Sequence, residues 1–253
     1  MRKSGLIVTS VLIVALMSSG AFGMYLNMSS KGIGTVSLRV APPTIEGINL
    51  ASIESLVKNA MSKASGDDKD GDPKAQYELG VLFYTMYNAA QAEELAERDE
   101  GKSYARLFNL NQAAYWLKRS SEKDYAPAQF LLSHIDFWDL GEPEGGAMWL
   151  DKAVEAGYPK AQAIMAERLL NSELSRSFTV LLNEPSDTLK QAIELATKSA
   201  NQGDALGMYV LSRIYGSEVL KGKNPVYDKA KAEEWRKKAK EAAKRDPMIS
   251  FSD

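Results

Sequence analysis

The chain has 253 residues, of which 45% are hydrophobic and 25% are charged, a composition typical of folded globular domains. Its 31 basic and 33 acidic residues give a net charge of -2, so it lacks the global positive field that holds nucleic acid. It contains no cysteine, which excludes disulfides, thiolate zinc sites, cysteine nucleophiles and a lipid anchor attached to a cysteine.

The chain begins with a basic and then strongly apolar segment. Arg2 and Lys3 precede Gly5 to Met17, an uncharged stretch rich in Leu, Ile and Val. This pattern predicts either a signal peptide cleaved after Ala21 or a signal-anchor helix within the uncharged stretch Ser4 to Ser30. The two interpretations stay open. Both predict that the rest of the chain is periplasmic or is held at the inner membrane outside the cytoplasm, because basic residues stay on the inner side.

Residues 31–70 are predicted to be a tether with some local structure. Thr35 to Val40 alternates as a short strand does, and two prolines follow it. Apolar residues from Leu50 to Ala64 recur at helical spacing and predict an amphipathic helix that caps the first repeat. Ser65 to Asp72 is interpreted as a polar linker. Its aspartates resemble part of a calcium loop but lack the glutamate at the twelfth position, so no metal and no cofactor is predicted.

The strongest signal in the sequence is internal repetition. In four aligned segments the first residue is small, the fifth is Leu or Met, and the sixth is Gly, Ser or Ala. These segments begin at Ala75, Ala128, Ala161 and Gly207. Small residues let a neighbouring helix approach closely, and the Leu or Met supplies an apolar contact. Each segment is therefore predicted to be the first helix of a hairpin.

A second set of positions predicts the other helix of each hairpin. A large apolar residue is followed three residues later by a basic residue and then by a small one. The large residues are Trp116, Trp149, Leu195 and Trp235. From each of the first three, 12 residues lead to the next leading small residue, whereas the reverse spacing varies from 21 to 41 residues. A constant turn between hairpins and a variable loop within them is typical of a stacked repeat array.

These motifs resemble the Sel1-like repeat, a relative of the TPR, most clearly in Lys74 to Gly80 and Trp149 to Gln162. The resemblance covers about Gly71 to Arg245, although the Gly-rich loop of the family's hairpin is absent. It implies an all-α fold, a right-handed α-solenoid of about four helix-turn-helix repeats after the N-terminal signal or anchor helix. The units are expected at about 71–123, 124–156, 157–202 and 203–246, followed by a tail at 247–253.

Two of the predicted units carry insertions. In the first, Thr85 to Leu110, the stretch Ala89 to Arg98 is rich in Ala, Glu and Gln and is predicted to prolong the preceding helix. The second insertion, within residues 171–188, carries an apolar run. That run includes Phe178, Leu181 and Leu182, and it is interpreted either as a flap over the repeat edge or as an exposed contact for a partner.

Motifs for catalysis are scarce. The only histidine, His134, is accompanied by no GxSxG, Walker-type or GxGxxG sequence, so a structural role is favoured over a catalytic one. A single histidine also excludes a metal site with two histidines. The basic run Lys229 to Lys244 is interleaved with glutamates and is interpreted as the polar outer face of a terminal capping helix.

The first helices of the repeats are predicted to line a groove that binds a protein or peptide. Such helices commonly form the concave side of a solenoid, and aromatic residues with a few polar groups suit a binding surface. The predicted groove residues are Tyr77, Tyr84, Phe130, His134, Phe137, Glu167, Tyr209 and Arg213. The alternative is that Tyr77, Phe130 and Tyr209 pack against the adjacent repeat.

By analogy with other solenoids, the chain is predicted to be a non-enzymatic scaffold or adaptor of the cell envelope. Its expected partner is a protein or peptide, together with the membrane if the N-terminal segment is retained, and not nucleic acid. One alternative is a structural subunit of an envelope assembly that makes contact through the 171–188 insertion. Another is an envelope hydrolase, which would need His134, Asp136 and a hydroxyl group in one pocket.

Overall fold

A computed structural model describes residues 26–29, 35–38, 62, 71–97, 100–177, 186–217, 227–246 and 249–252. These residues form the helices α1 (Pro73–Glu97), α2 (Glu100–Ser121), α3 (Ala126–Ile135), α4 (Pro143–Glu155), α5 (Pro159–Ser177), α6 (Asp187–Asn201), α7 (Ala205–Gly216) and α8 (Lys229–Ala243). They also form three short strands, β1 (Leu26–Ser29), β2 (Thr35–Leu38) and β3 (Ile249–Ser252). Within these ranges, we find no helix with the length and apolar character that crossing a membrane requires.

The chain divides into two compact units. The first consists of Met1–Tyr25 and Val40–Trp149, and the second of Leu26–Arg39 and Leu150–Asp253. In the first unit α1 packs along α2, which also contacts α3. In the second, α5 packs on α6, α7 packs on both, and α8 packs on α7. The predicted all-α solenoid class, made of successive helical hairpins, is confirmed, and its right-handed sense stays a prediction.

Both columns of small residues are buried, as their spacing predicts. The small residues after the large anchors are 0% exposed: Ser120, Ala153, Ser199 and Ala239. Among the leading small residues, Gly207 lies in close contact with α6. A Cβ atom there would lie 2.3 Å from Ser199 Oγ and 2.8 Å from the Ala200 nitrogen. The close helix approach predicted from these columns is therefore present in the α6–α7 pair.

The three turns that join successive hairpins share one geometry. Each contains a residue with a left-handed backbone: Asp124 (φ 58°), Gly157 (φ 77°) and Gly203 (φ 84°). The N–H of the next residue bonds back to the small column: Tyr125 to Ser120 O, Tyr158 to Ala153 O and Asp204 to Ser199 O, at 3.3, 3.0 and 3.4 Å. This is the Schellman arrangement, and it explains why the spacing across these turns is constant.

The predicted insertions differ in how far the structure describes them. The prediction that the stretch from Ala89 prolongs the first helix is confirmed as far as Glu97, where α1 ends. Arg98 lies outside the described residues, and α2 begins at Glu100. In the second insertion, α5 continues to Ser177. Phe178, Leu181 and Leu182 lie outside the described residues, so their predicted contact stays a prediction.

The basic run of α8 has the polar outer face that its sequence predicts. Its buried residues are Ala232, Ala239 and Ala242, whereas most of its lysines are exposed. Exposed charges pair along the helix, as in Lys238 Nζ to Glu234 Oε1 at 2.6 Å. The buried face is accounted for by packing on α7.

The three strands form an antiparallel sheet in the order β1-β2-β3. The strand predicted from Thr35 is present as β2 and ends at Leu38. The strand β1 lies at the end of the predicted signal or anchor segment 1–30, and β3 lies in the predicted tail 247–253; the bounds of these segments stay predictions. Backbone pairing with β2 fixes both, because alternating short segments complete a ladder. The rest of residues 1–30 and the predicted capping helix, apart from Ser62, lie outside the described residues.

Candidate protein-binding surface

The structure divides the eight predicted groove residues between the two units. Tyr77, Tyr84, Phe130, His134 and Phe137 belong to the first unit, and Glu167, Tyr209 and Arg213 belong to the second. Five are buried, namely Tyr84, Phe130, Glu167, Tyr209 and Arg213. Tyr77, His134 and Phe137 are half-buried. A partner in solution can therefore reach only these three, and the binding role predicted for the set stays a prediction.

In the second unit the charged members of that set pair with each other. Glu167 and Arg213 form an ion pair between α5 and α7 in which each side chain is only 7% exposed. Arg213 Nη2 also donates to Asn171 Oδ1 at 3.2 Å, and Asn171 Nδ2 donates to Glu167 Oε1 at 3.3 Å. Burial lowers the pKa of Arg213 to about 10. This triad joins two helices inside the unit, so its charges are not displayed to a ligand.

In the first unit two tyrosines hold one aspartate. Tyr84 donates its hydroxyl hydrogen to Asp139 Oδ2 at 2.9 Å, and Tyr87 donates to Asp139 Oδ1 at 3.0 Å. Burial, and then the neighbouring Asp139, raise the pKa of Tyr87 to about 12 and that of Tyr84 further. Both phenols are therefore protonated donors at neutral pH. The ring of His134 packs edge-on against Tyr84, with centroids 6.4 Å apart.

Asp139 belongs to a π-helical turn, Asp136–Leu140, that links α3 to α4. Gly141, with φ 70°, ends the turn, and the Glu142 N–H donates to Asp136 O at 2.7 Å. The first turn of α4 lies directly against α3 and the π turn, since a Cβ on Gly146 would be 2.8 Å from Ser133 O and 3.1 Å from the Phe137 nitrogen. Glycine at this position is what permits so close an approach. The wide turn is thus held from both sides, by α1 through Asp139 and by α4.

Asp136, the first residue of the turn, is a buried carboxyl group. Burial, followed by repulsion from Glu142, raises the pKa of Asp136 to about 6, while Lys118 acts in the opposite direction. A Cβ on Gly145 would lie 3.1 Å from its Oδ2 atom. The packing of α4 on the turn therefore includes a carboxyl group that titrates close to neutral pH.

The residues beside Asp139 project outward. Trp138 is 62% exposed and Leu140 is 36% exposed, although Asp139 between them is held inward. Phe137 packs against Trp138 with ring centroids 4.9 Å apart and an interplanar angle of 62°. We call Phe137, Trp138 and Leu140 the π-turn surface. It presents a large aromatic ring on a backbone that hydrogen bonds fix in place.

The first unit also carries the other exposed large apolar side chains of the described residues. They are Leu107, Phe108 and Tyr115 on α2 and Met148 on α4. The described side chains of the second unit include none of this kind. Concentrations of exposed apolar residues mark interaction sites more often than isolated ones do. The first unit is therefore the better candidate for binding a partner.

Sequence reasoning included Phe137 but missed Trp138, Asp139 and Leu140. It assumed regular helical spacing through residue 137, and a π turn has no sequence pattern of its own. The Phe-Trp pair followed by Gly141 was the available signal. Among the residues with described side chains, no group of three His, Asp or Glu residues is placed to hold a metal ion.

The hairpins, the buried small columns and the repeated turns define a helical-hairpin repeat protein. No protein-family model and no curated protein matches the chain. Among solved structures it is similar to a protective antigen of uropathogenic Escherichia coli that displays an SLR fold. That similarity has 20% identity and a TM-score of 0.42, covering 76% of this chain and 41% of the other.

A Sel1 repeat protein from Oxalobacter formigenes is also similar, at 19% identity and a TM-score of 0.38, over 75% of this chain and 72% of that one. Both structures belong to the repeat type that the sequence motifs resemble. The chain spans less than half of the Escherichia coli protein. The assignment to helical hairpins rests on the elements of this chain, and neither likeness bears on its partner.

Proposed function

We propose that the chain is a non-enzymatic scaffold of the cell envelope that binds a protein through the π-turn surface. The single observation that carries this proposal is the exposure of Trp138, 62%, beside an aspartate fixed by two tyrosines. The predicted groove residues Phe137 and His134 lie in or next to the same turn. The proposal therefore keeps the protein-binding role predicted from the repeats and places it on one part of the first unit.

A rigid exposed tryptophan suits a protein interface. Tryptophan supplies a large contact area and dominates binding energy when a partner excludes water from it. The backbone on either side of Trp138 is already ordered by the Asp139 and Glu142 hydrogen bonds. Binding would then cost little conformational entropy at this point, which favours affinity.

The location outside the cytoplasm is part of the proposal and is supported by the sequence. Arg2 and Lys3 before the apolar stretch favour an inside amino terminus and an exported remainder. The structural-subunit alternative depends on the 171–188 insertion, whose apolar run lies outside the described residues. The π-turn surface is the described feature that favours protein binding, so it is the one to test.

The test is site-specific photo-crosslinking in living cells from position 140, next to Trp138. We expect one recurrent protein adduct, which Trp138→Ala removes without changing the thermal unfolding midpoint. Tyr115→Ala is the matched control, because Tyr115 is also an exposed aromatic residue of the first unit, 48% exposed. It should leave the adduct in place.

Two results would contradict the proposal. One is an adduct of unchanged intensity in the Trp138→Ala variant. The other is adduct formation from exposed Lys198 in the second unit with none from position 140. The second result would move the binding surface to the other unit and support the structural-subunit alternative.

A further inference from the structure

The part of the chain that carries the π-turn surface is acidic. From Ala126 to Trp149 there are four acidic residues and no lysine or arginine, a local net charge of -4 in a chain whose total is -2. All four lie between the first residue of the π turn and the first turn of α4: Asp136, Asp139, Glu142 and Glu144. The negative charge is therefore concentrated where Trp138 is exposed.

The two carboxylates within the turn are engaged inside the first unit. Asp139 interacts electrostatically with Arg106, and Asp136 interacts with Lys118. Both of these basic residues belong to α2. Asp136 is also buried, and Asp139 holds the two tyrosine hydroxyl groups. The charges of these two aspartates are thus offset from within the unit and are not the ones that a partner meets.

The two carboxylates that follow the turn are displayed outward. Glu142 and Glu144 are exposed, and neither forms an ion pair or a side-chain hydrogen bond with another residue of the described part of the chain. Exposed glutamates on helices of the second unit differ in this respect. Glu194, Glu234 and Glu241 each pair with a lysine of the same helix. Two unpaired negative charges therefore remain beside the π-turn surface.

The packing of α4 brings these carboxylates close to the aromatic residues of the turn. A Cβ on Gly145 would lie 3.9 Å from Glu142 Cβ, and a Cβ on Gly146 would lie 3.1 Å from Phe137 Cβ. Phe137 in turn packs against Trp138. An exposed indole ring and two exposed carboxylates thus lie in one region of the first unit.

Acidic residues at the start of a helix also have a purely structural explanation, because the helix dipole favours negative charge there. That explanation accounts for the presence of Glu142 and Glu144 at the start of α4, but it does not neutralise them. The helix end carries about half of one positive charge, against two full negative charges on the glutamates. The potential at this surface therefore remains negative.

We propose that the partner of the π-turn surface is a basic segment of a protein, whose Arg or Lys side chains contact Trp138 and the carboxylates of Glu142 and Glu144. A cationic side chain is attracted both to the face of an indole ring and to carboxylates. Opposite charge on the two surfaces also speeds their association. The same negative charges repel phosphate groups, which disfavours nucleic acid and anionic lipid at this site. This inference rests on the proposed function, because it names the chemistry of the partner of that surface.

The test compares the binding of two synthetic peptides to the purified full chain in a non-ionic detergent, by fluorescence anisotropy. The peptides carry fluorescein and have identical apolar residues, but one has arginine and the other glutamate at every charged position. The double variant Glu142→Gln with Glu144→Gln removes the exposed charges, and Trp138→Ala removes the ring. Glu122→Gln is the matched control, because Glu122 is an exposed carboxylate of the same unit that the whole length of α3 separates from the π turn.

We expect the arginine peptide to bind about ten-fold more tightly than the glutamate peptide at low salt, and added salt should reduce this preference. The double variant should weaken binding of the arginine peptide by about five-fold, and Trp138→Ala should weaken it by about ten-fold. Glu122→Gln should change it by less than about two-fold. The thermal unfolding midpoint of each variant shows that the loss of binding is not a loss of folding.

Four results would overturn the proposal: equal affinity for the two peptides, no measurable binding of either, an unchanged affinity in the double variant, or an equal loss in Glu122→Gln. A crosslink in cells from position 140 to lipid or to an uncharged segment of a protein would also contradict it.

The failure of this inference can be told apart from the failure of the proposed function. A recurrent protein adduct from position 140 without any preference for the arginine peptide would reject the basic partner and leave the protein-binding surface in place. A clear preference for the arginine peptide without an adduct in cells would leave the charge selectivity of the surface in place and reject its proposed role in the cell.

Discussion

Asp124 shows how one residue carries the geometry of a turn. Its backbone is left-handed, with φ 58°, in a position where the other two turns use Gly157 and Gly203. This conformation costs a residue with a Cβ about 1–2 kcal/mol, partly offset by the larger entropy that glycine loses on folding. We expect Asp124→Gly to raise the free energy of unfolding by about 0.5–1 kcal/mol in urea titrations.

The reverse substitution provides the control. Gly203→Asp should lower the free energy of unfolding by a similar amount, because a Cβ at Gly203 has nothing within 4 Å and only the backbone is strained. If the wild type and the two variants were equally stable, the left-handed backbone would not be the reason that glycine is favoured in these turns.

Asp136 should make stability depend on pH. Its folded-state pKa of about 6 lies above its ordinary value of 3.8, so the folded protein binds this proton more tightly than the unfolded chain does. The resulting stability is fully present below about pH 4 and is lost as the pH rises through 6. We expect Asp136→Asn to reduce this loss, by on the order of 1 kcal/mol after allowing for solvent screening.

The measurement is the free energy of unfolding at pH 4, 5, 6 and 7 for the wild type and the variant. Asp139, whose pKa burial also raises, shifts both curves alike and cancels in the difference. A difference that does not change between pH 4 and 7 would mean that Asp136 has an ordinary pKa in the folded protein.

At the scale of elements, the two tyrosines of α1 hold the π turn. Tyr84→Phe should lower the free energy of unfolding by about 1–2 kcal/mol, because Asp139 is partly buried and would lose one of its two hydroxyl donors. The same variant should weaken the crosslink from position 140, since Asp139 lies directly before it. Thermal unfolding and crosslink intensity are measured together.

Tyr115→Phe supplies the matched comparison, as its exposed hydroxyl only accepts a bond from Arg119 at 3.0 Å. It should change stability by less than about 0.5 kcal/mol. A Tyr84→Phe variant as stable as Tyr115→Phe would show that the Asp139 bonds do not order the turn.

The α5–α7 contact depends on a buried charge pair. Removing one partner, in Glu167→Leu or Arg213→Met, leaves the other charge buried, so we expect each substitution to lower the free energy of unfolding by about 3–5 kcal/mol. The double variant Glu167→Leu with Arg213→Met should recover to within about 1–2 kcal/mol of the wild type. Urea unfolding of all four proteins forms a double-mutant cycle.

The exposed pair Glu194 and Lys198 on α6, 2.7 Å apart, is the control. Disrupting it should change stability by about 0.5 kcal/mol or less. Additive losses at Glu167 and Arg213 would mean that the two charges do not depend on each other.

The elements were predictable to the extent that local patterns determine them. The small columns and the 12-residue spacing identify the hairpins because they record helix packing and the Schellman turns between hairpins. The contacts within the candidate site were less predictable from the sequence. Tyr84 was predicted to face a ligand, but its hydroxyl points to Asp139, a contact that only tertiary packing creates. The π turn likewise depends on how α4 packs on α3.

At the scale of the whole molecule, the topology relative to the membrane is testable with this cysteine-free chain. We expect Lys198→Cys, exposed on α6, to react with a membrane-impermeant maleimide in cells whose outer membrane is permeabilised. Ser4→Cys, next to the basic residues of the N terminus, should react only after lysis. This labelling pattern is expected if the anchor is retained. A mature protein that lacks position 4, and therefore its label, would indicate cleavage.

Labelling of Lys198→Cys only after lysis would contradict export of the repeats. This topology stays a prediction, which rests on charge beside an apolar stretch and not on tertiary structure. The sequence could not predict β3, since four alternating residues are a weak signal and their partner strand is distant in sequence.

That distance has a consequence for the order of folding. The hairpins join residues close in sequence, whereas the pairing of Leu38 with Ile249 closes a loop of roughly 200 residues. Contacts between distant residues form slowly because the entropy of loop closure must be lost before they contribute any stability. We therefore expect the sheet to assemble after the helical hairpins. In a refolding experiment, the fluorescence of a dye attached to a cysteine at position 251 should reach its native value later than the helical circular dichroism signal.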